Sequence, residues 1–208
     1  MSSYNQAILE IAQAGLAALD ERSNGKNVVK TVDAESHFLC NWMVQALKER
    51  RFSKLIAKEL TQWIRDARSM GAAAQLPSLL QRIEQQYLAA EKSQALGLSL
   101  NTMLTELAEL DWVVILDCEV TTKLKLESSG QNSLVISDEQ YQGHISGEAL
   151  TKTITMYVRA DEQALAKIAA KHGLLLSQGD KKASLVKHHK AYKVFPGNQQ
   201  PEMALLVR

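Results

Sequence analysis

The sequence predicts an α+β protein: an N-terminal all-helical bundle followed by a small, mainly antiparallel α+β domain. Three observations lead there. As far as Leu110 the apolar side chains recur at helical spacing, and from Trp112 onward the period shortens toward two. The formal charge, only +1 over 208 residues, is polarised along the second half. The chain is long enough to bury a core in one substantial domain or two small ones, and its 46 % hydrophobic content is ordinary for either. Domains are expected at 1–97 for the bundle and 98–208 for the α+β part, with the change of character in or after "SQALGLS".

The helices follow in order. Ile8, Leu9, Ile11, Ala12, Gly15, Leu16 and Leu19 form the first stripe, and Asn24-Gly25 is a suitable stop. Asp33 can cap a second helix whose apolar face is Phe38, Leu39, Trp42, Met43, Ala46 and Leu47. Ser53 can cap a third, striped by Leu55, Ile56, Leu60, Trp63, Ile64 and Ala67 and closing at Gly71. Pro77 suits the first turn of a fourth, with Leu79, Leu80, Ile83, Tyr87 and Leu88. Ser99 caps a shorter fifth carrying Leu100, Met103, Leu104, Leu107 and Leu110. Short connections make neighbours pack as a bundle.

Two of these segments, "HFLCNWMVQALKERRF" and "ELTQWIRDARSMG", resemble the N-terminal region of a bacterial family, domain of unknown function 2913. Chain length and the helical start before a Trp-led strand near residue 112 are similar too. The resemblance implies a cytoplasmic bacterial protein without an established activity. It transfers no catalytic residues, because the matching positions are mainly packing residues.

In the second half, "WVVIL" is a compact apolar run and "CEVTTKLKLES" alternates as a half-buried strand does. "SSGQN" is expected to turn, with "SLVIS" returning as a hairpin partner. "TITMYVR" is a further strand with Ile154, Met156 and Val158 on one face. Asp161 caps the helix "EQALAKIAAKH", which stops at His172-Gly173. "LLLS" reads as a strand, then Asp180 caps a short helix to about residue 190. "AYKVF" is a strand, Pro196-Gly197 a turn, and "MALLV" a closing strand.

Several function classes lack support. No apolar run approaches the ~18 residues of a membrane span. The N-terminus has no basic lead and holds Glu10 in its apolar part, so a secretory signal is not expected. Cys40, on an apolar helix face, and Cys118, just after the apolar run "WVVIL", are expected as buried free thiols in a cytoplasmic protein. The histidines His37, His144, His172, His188 and His189 show no chelating helical spacing, so no metal and no other cofactor is expected. No GxSxG, GxGxxG or Walker loop occurs. An enzyme is therefore the lesser expectation. Its form would be a metal-dependent phosphodiesterase or nuclease using Asp117 and Glu119, with Lys123 steadying a phosphate. The usual acid-x-Lys step is missing, since Val120 and Thr121 follow Glu119.

A binding or accessory role fits better. "KKASLVKHHKAYKVFPG" presents Lys181, Lys182, Lys187, His188, His189, Lys190, Tyr192 and Lys193. Lysines with an interleaved ring suit a groove for single strands, charges along the backbone and a ring stacking a base. The stretch has no arginine, which argues against base-edge reading. Expected partners are thus nucleic acid or an acidic protein, and not a membrane. The plainer alternative is self-complementarity. Residues 111–162 hold 4 basic and 9 acidic side chains, and residues 163–208 hold 8 and 2. The basic stretch can then lie beside Glu119, Glu127, Asp138 and Glu139, at roughly 0.2–1 kcal/mol per pair. A second basic cluster is Lys48, Arg50, Arg51, Lys54 and Lys58. "ERRFS" there has the length of a helix-turn-helix connection. However, the helix after it has a core-like stripe and mixes Glu59 and Asp66 with its bases, unlike a recognition helix. A third expectation is a protein-interaction module, including a homodimer through exposed apolar helix faces.

Overall fold

The computed structural model describes residues 3–25, 30–126 and 130–208. They form two compact units, Met1–Leu88 and Ala89–Arg208, so the division falls upstream of "SQALGLS". The architecture is α+β, helical first and sheet-bearing second.

The first unit contains α1 (Tyr4–Ser23), α2 (Val32–Lys48), α3 (Ala57–Met70) and most of α4 (Leu76–Glu91). Ser3 caps α1 by accepting the Gln6 N–H. Thr31, rather than Asp33, caps α2, its hydroxyl accepting the Ala34 N–H at 3.3 Å. Asp33 sits instead in the first turn, where its charge favours the helix dipole. Ser53 caps a 3-10 turn, Lys54–Ile56, that leads into α3, and Gly71 at φ 57 ends that helix. Ile8, Ile11, Leu39, Met43, Ile56, Leu80 and Ile83 are fully buried and make the core. Gly15 lets α1 approach closely, since a Cβ there would lie 2.7 Å from Leu80 Cδ1 and 3.4 Å from the Trp42 ring.

In the second unit α5 (Leu96–Glu109) begins before Ser99, which lies inside the helix. Its starting residue Ala95 offers no side-chain cap. The Gly97 and Leu98 N–H groups donate instead to the Glu148 carbonyl, at 2.8 and 3.3 Å. The main sheet runs β1 (Val113–Cys118), β2 (Ser133–Ser137), β5 (Ile154–Arg159), β6 (Lys190–Val194), in that spatial order. Helix α6 (Asp138–His144) and a ribbon of β3 (Ile145–Ser146) and β4 (Ala149–Leu150) separate β2 from β5, and α7 (Glu162–Lys171) follows β5.

The expected hairpin between "CEVTTKLKLES" and "SLVIS" is not formed. β1 pairs with β2 in parallel, while β2–β5 and β5–β6 are antiparallel. Parallel neighbours require a crossover, which falls between Cys118 and Ser133. Of the "SSGQN" turn, Ser128 and Ser129 lie outside the described residues. The expected helix from Asp180 to about residue 190 is absent too. The Asp180 carboxylate accepts the Lys182 N–H at 2.7 Å, and Ser184 Oγ both donates to the Val186 carbonyl and accepts its N–H. Such local side-chain bonds compete with helix formation. "LLLS" and "MALLV" run without strand ladders, tied by the Leu176–Val194 bridge and a Leu205 N–H to Leu176 carbonyl bond of 2.8 Å.

Strand alternation gives the sheet two buried faces. Leu134, Ile136, Ile154, Met156, Val158, Tyr192 and Val194 pack with Leu100, Leu104 and Leu107 of α5 and Leu165 and Ala169 of α7. On the other face Val135, Tyr157 and Ala191 meet Val186, with Val120, Leu124 and Leu126 packed against them. Hence every residue of β2 is buried. Among the described residues, no helix is long and apolar enough to cross a membrane.

A Cβ at Gly97 would sit 2.9 Å from the Glu148 carbonyl oxygen, which is backbone and cannot swing away. Gly97→Ala is therefore expected to destabilise the second unit by about 1–3 kcal/mol through overpacking. That outweighs the ~0.5–1 kcal/mol that alanine favours a helix over glycine. Urea unfolding checks this, and an unchanged or higher midpoint contradicts it.

Candidate functional site

The segment after β1 comes to lie beside residues 185–187. The Leu124 N–H donates to the Leu185 carbonyl and the Lys187 N–H to the Leu124 carbonyl, each at 2.8 Å, as a parallel bridge. Leu124 and Val186 pack inward. Side chains alternate along extended chain, so Lys123, Lys125 and Lys187 turn outward, and all three are exposed. Lys181, Lys182 and His188 are exposed on the same connecting segment, and Lys193 on β6. Among the described residues, no carboxylate lies within ion-pair distance of Lys123, Lys181, Lys182, Lys187 or Lys193.

The other three residues of the expected surface are drawn into the fold. His189 is 3 % exposed. Its Nδ1 lies 2.9 Å from the Lys187 carbonyl, an acceptor only, so Nδ1 carries the proton. Nε2 is then the acceptor for the Ser133 hydroxyl at 2.9 Å. Burial holds the His189 pKa below its usual value; the bond to Lys187 acts the other way, and the Arg159 and His188 charges add to the lowering. Tyr192 is 2 % exposed and donates its hydroxyl to Glu162 Oε1 at 2.9 Å. Burial first, then that carboxylate, pushes the phenol far above its ordinary pKa. Gly179 makes room for the ring, since a Cβ there would come within 2.6–2.7 Å of it. Lys190 donates to the same Glu162 oxygen at 3.1 Å. Neither the Tyr192 nor the His189 ring is therefore presented for stacking.

The acids expected to neutralise the basic stretch are placed differently. Glu119 is exposed, Asp138 and Glu139 occupy the first turn of α6, and Glu127 lies outside the described residues. The carboxylate that takes Lys190 is Glu162, at the start of α7. Asp117 is exposed where the β1–β2 register slips between Ile115 and Cys118, and Glu119 lies beyond the strand end. Among the described residues, no three His, Cys, Asp or Glu side chains are grouped to hold a metal ion. Cys40 and Cys118 are free thiols; Cys118 is only partly buried, and desolvation raises its pKa.

The family follows from the whole chain. A family model described as a protein of unknown function, DUF2913, matches residues 3–207. The chain belongs to the DUF2913 family. Neither a curated protein nor a solved structure matches it.

This DUF2913 protein also holds a titratable cluster that sequence reasoning missed. Glu106 on α5 accepts two 2.8 Å hydrogen bonds from Lys171 Nζ and one of 2.7 Å from His172 Nε2, at the end of α7. The bond from Lys171, then that from His172, holds the carboxyl below its usual pKa. Both basic residues border an open cleft of about 410 Å³ that Ser93, Ser99 and Thr102 line with hydroxyls. With Nε2 donating to the carboxylate, a neutral His172 ring carries its lone pair on Nδ1. An oriented imidazole of this kind can bind or move a proton. Glu106 and His172 are 66 positions apart, and nothing local in the sequence joins them.

The buried Ser133–His189 pair predicts a pH dependence. With the folded pKa of His189 below the ordinary value of about 6.5, the unfolded chain binds the extra proton first as pH falls. Its stabilising contribution is thus complete above about pH 6.5 and is lost as pH drops toward the folded pKa. The Tm should fall between about pH 7 and 5, and His189→Gln should flatten that fall; a slope unchanged in the variant contradicts the assignment. Ser133→Ala strands a buried ring nitrogen and should cost about 1–3 kcal/mol at neutral pH by urea denaturation.

Proposed function

We propose that the second unit of this DUF2913 protein is a non-catalytic binding module, working in the cytoplasm, that holds an extended polyanion by charge neutralisation. The observation that carries this reading is the Leu124–Val186 bridge, which brings the exposed Lys123 alongside the segment that carries Lys187. Like charges on neighbouring strands are destabilising, so a face that only needed solvation gains nothing from this arrangement. Lys181, Lys182 and Lys193 extend the positive surface along the chain. Lysines act as point charges rather than as planar forks for a particular base. With Tyr192 buried, the ligand is recognised by its string of charges and not by its bases.

The test is fluorescence anisotropy with labelled oligothymidylate and labelled polyglutamate across a range of salt. If Lys123, Lys181, Lys182, Lys187 and Lys193 each neutralise one phosphate, log K against log salt should fall with a slope of about −3.5 on single strands. The triple variant Lys123→Glu, Lys182→Glu, Lys187→Glu should bind at least about tenfold more weakly, and Lys167→Glu, on exposed α7 surface, should not. Tighter binding of polyglutamate makes the partner an acidic protein. Salt-independent binding, or equal affinity of the triple variant, rejects the reading.

A further inference from the structure

The first unit presents a groove of its own. Two hollows of about 650 and 560 Å³ lie between α2 and α3 and meet at Leu47, which lines both. Their floor is apolar, from Val44 and Leu47 on α2 to Leu60 and Ile64 on α3, with Phe52 at the connection. Their rim is cationic: Lys48, Arg50, Lys54, Arg65 and Arg68. Along α3 the lining runs from Ala57 to Arg68, three turns or about 16 Å of helix.

Three further observations bear on what fills it. Among the described residues, none of the five rim cations has an ion-pair partner, whereas adjacent Arg51 is committed to Glu49 at 2.8 Å and lies over the Trp42 ring at 5.4 Å. Leu47 is 38 % exposed at the centre of the floor. Arg50 follows the α2 cap at φ 53, a left-handed position that glycine normally occupies. There an arginine costs conformational energy that glycine would not; its N–H closes α2 on the Leu47 carbonyl at 3.3 Å, as any residue's would, and its side chain borders the groove.

We propose that this groove docks an acidic amphipathic helix of another protein. The floor takes an apolar stripe at i, i+3, i+4 and i+7, the usual reading of a helix laid in a groove. Rim cations on both sides call for Asp or Glu flanking that stripe. A phosphate backbone has no use for the apolar floor, and a purely apolar ligand leaves five desolvated cations unpaired. This surface is separate from the lysines of the second unit, and its failure would leave the polyanion reading untouched.

The experiment selects binders for the full chain from a displayed library of helical peptides about four turns long. Counter-selection uses the Leu47→Glu variant, with matching melting curves as proof that it folds. The expected winners carry a Leu or Ile stripe with flanking acids. They should bind at least tenfold more weakly to Leu47→Glu and to the double variant Arg65→Glu, Arg68→Glu. They should bind unchanged to Lys182→Glu, and hydrogen exchange should show protection on α2 and α3. Winners that ignore both variants, that are neutral or basic, or that protect another region overturn the proposal. So does self-association of the chain that Leu47→Glu abolishes, because the occupant is then a second copy.

Discussion

The second unit rests on covering the far face of its sheet. A four-stranded sheet with α5 and α7 on one side still leaves Val135, Tyr157 and Ala191 on the other, and among the described residues no helix side chain joins the cluster that covers them. The crossover after β1 and the segment before β6 do so together. Each contributes one apolar side chain, Leu124 and Val186, at the point where their backbones bridge. Burying Val186 is worth on the order of 1.5–3 kcal/mol, and Leu124, partly buried, contributes less. The rest follows from the pleat, because what lies next to an inward leucine or valine must point outward, and here three of the four neighbours, Lys123, Lys125 and Lys187, are lysines.

Two carboxylates organise the remaining charge in this unit. Glu162, at the start of α7, gathers Lys190 and the Tyr192 hydroxyl. It thereby engages one cation and the tyrosine of the basic stretch. Glu106 gathers Lys171 and His172 at the other end of α7. In both places a carboxylate on one element takes two donors from a distant one. Lys123 and Lys187 stay outside both groups, each next to a residue of the second hydrophobic layer.

The helical half was the more legible. Periodicity located α1 to α5, because an amphipathic stripe is local information, and glycine at φ 57 ended α3 at the expected position. Caps were less legible: Thr31 and Asp33 are chemically similar candidates, and only the backbone conformation at Thr31 selects between them. Of the basic surface, the exposed Lys181, Lys182, Lys187, His188 and Lys193 were visible in the sequence as a charge run. Lys123 and Lys125 belong to the alternating stretch "CEVTTKLKLES", and alternation says which way a side chain points but not which segment lies alongside. The withdrawal of His189 into a bond with Ser133, 56 positions away, had no local signal at all.

What the sequence determined by itself was composition-borne and short-ranged: an α+β class, the order of helices then strands, and a DUF2913 resemblance carried by packing residues that the family model extends over residues 3–207. Tertiary structure alone decided that β1 and β2 run parallel, that "SLVKHH" is bridged rather than helical, and that lysine meets lysine across the Leu124–Val186 contact. The physical reason is range. Helical stripes and turns are set by neighbours within a few residues, whereas strand direction and charge juxtaposition depend on which distant apolar side chains must share one buried layer.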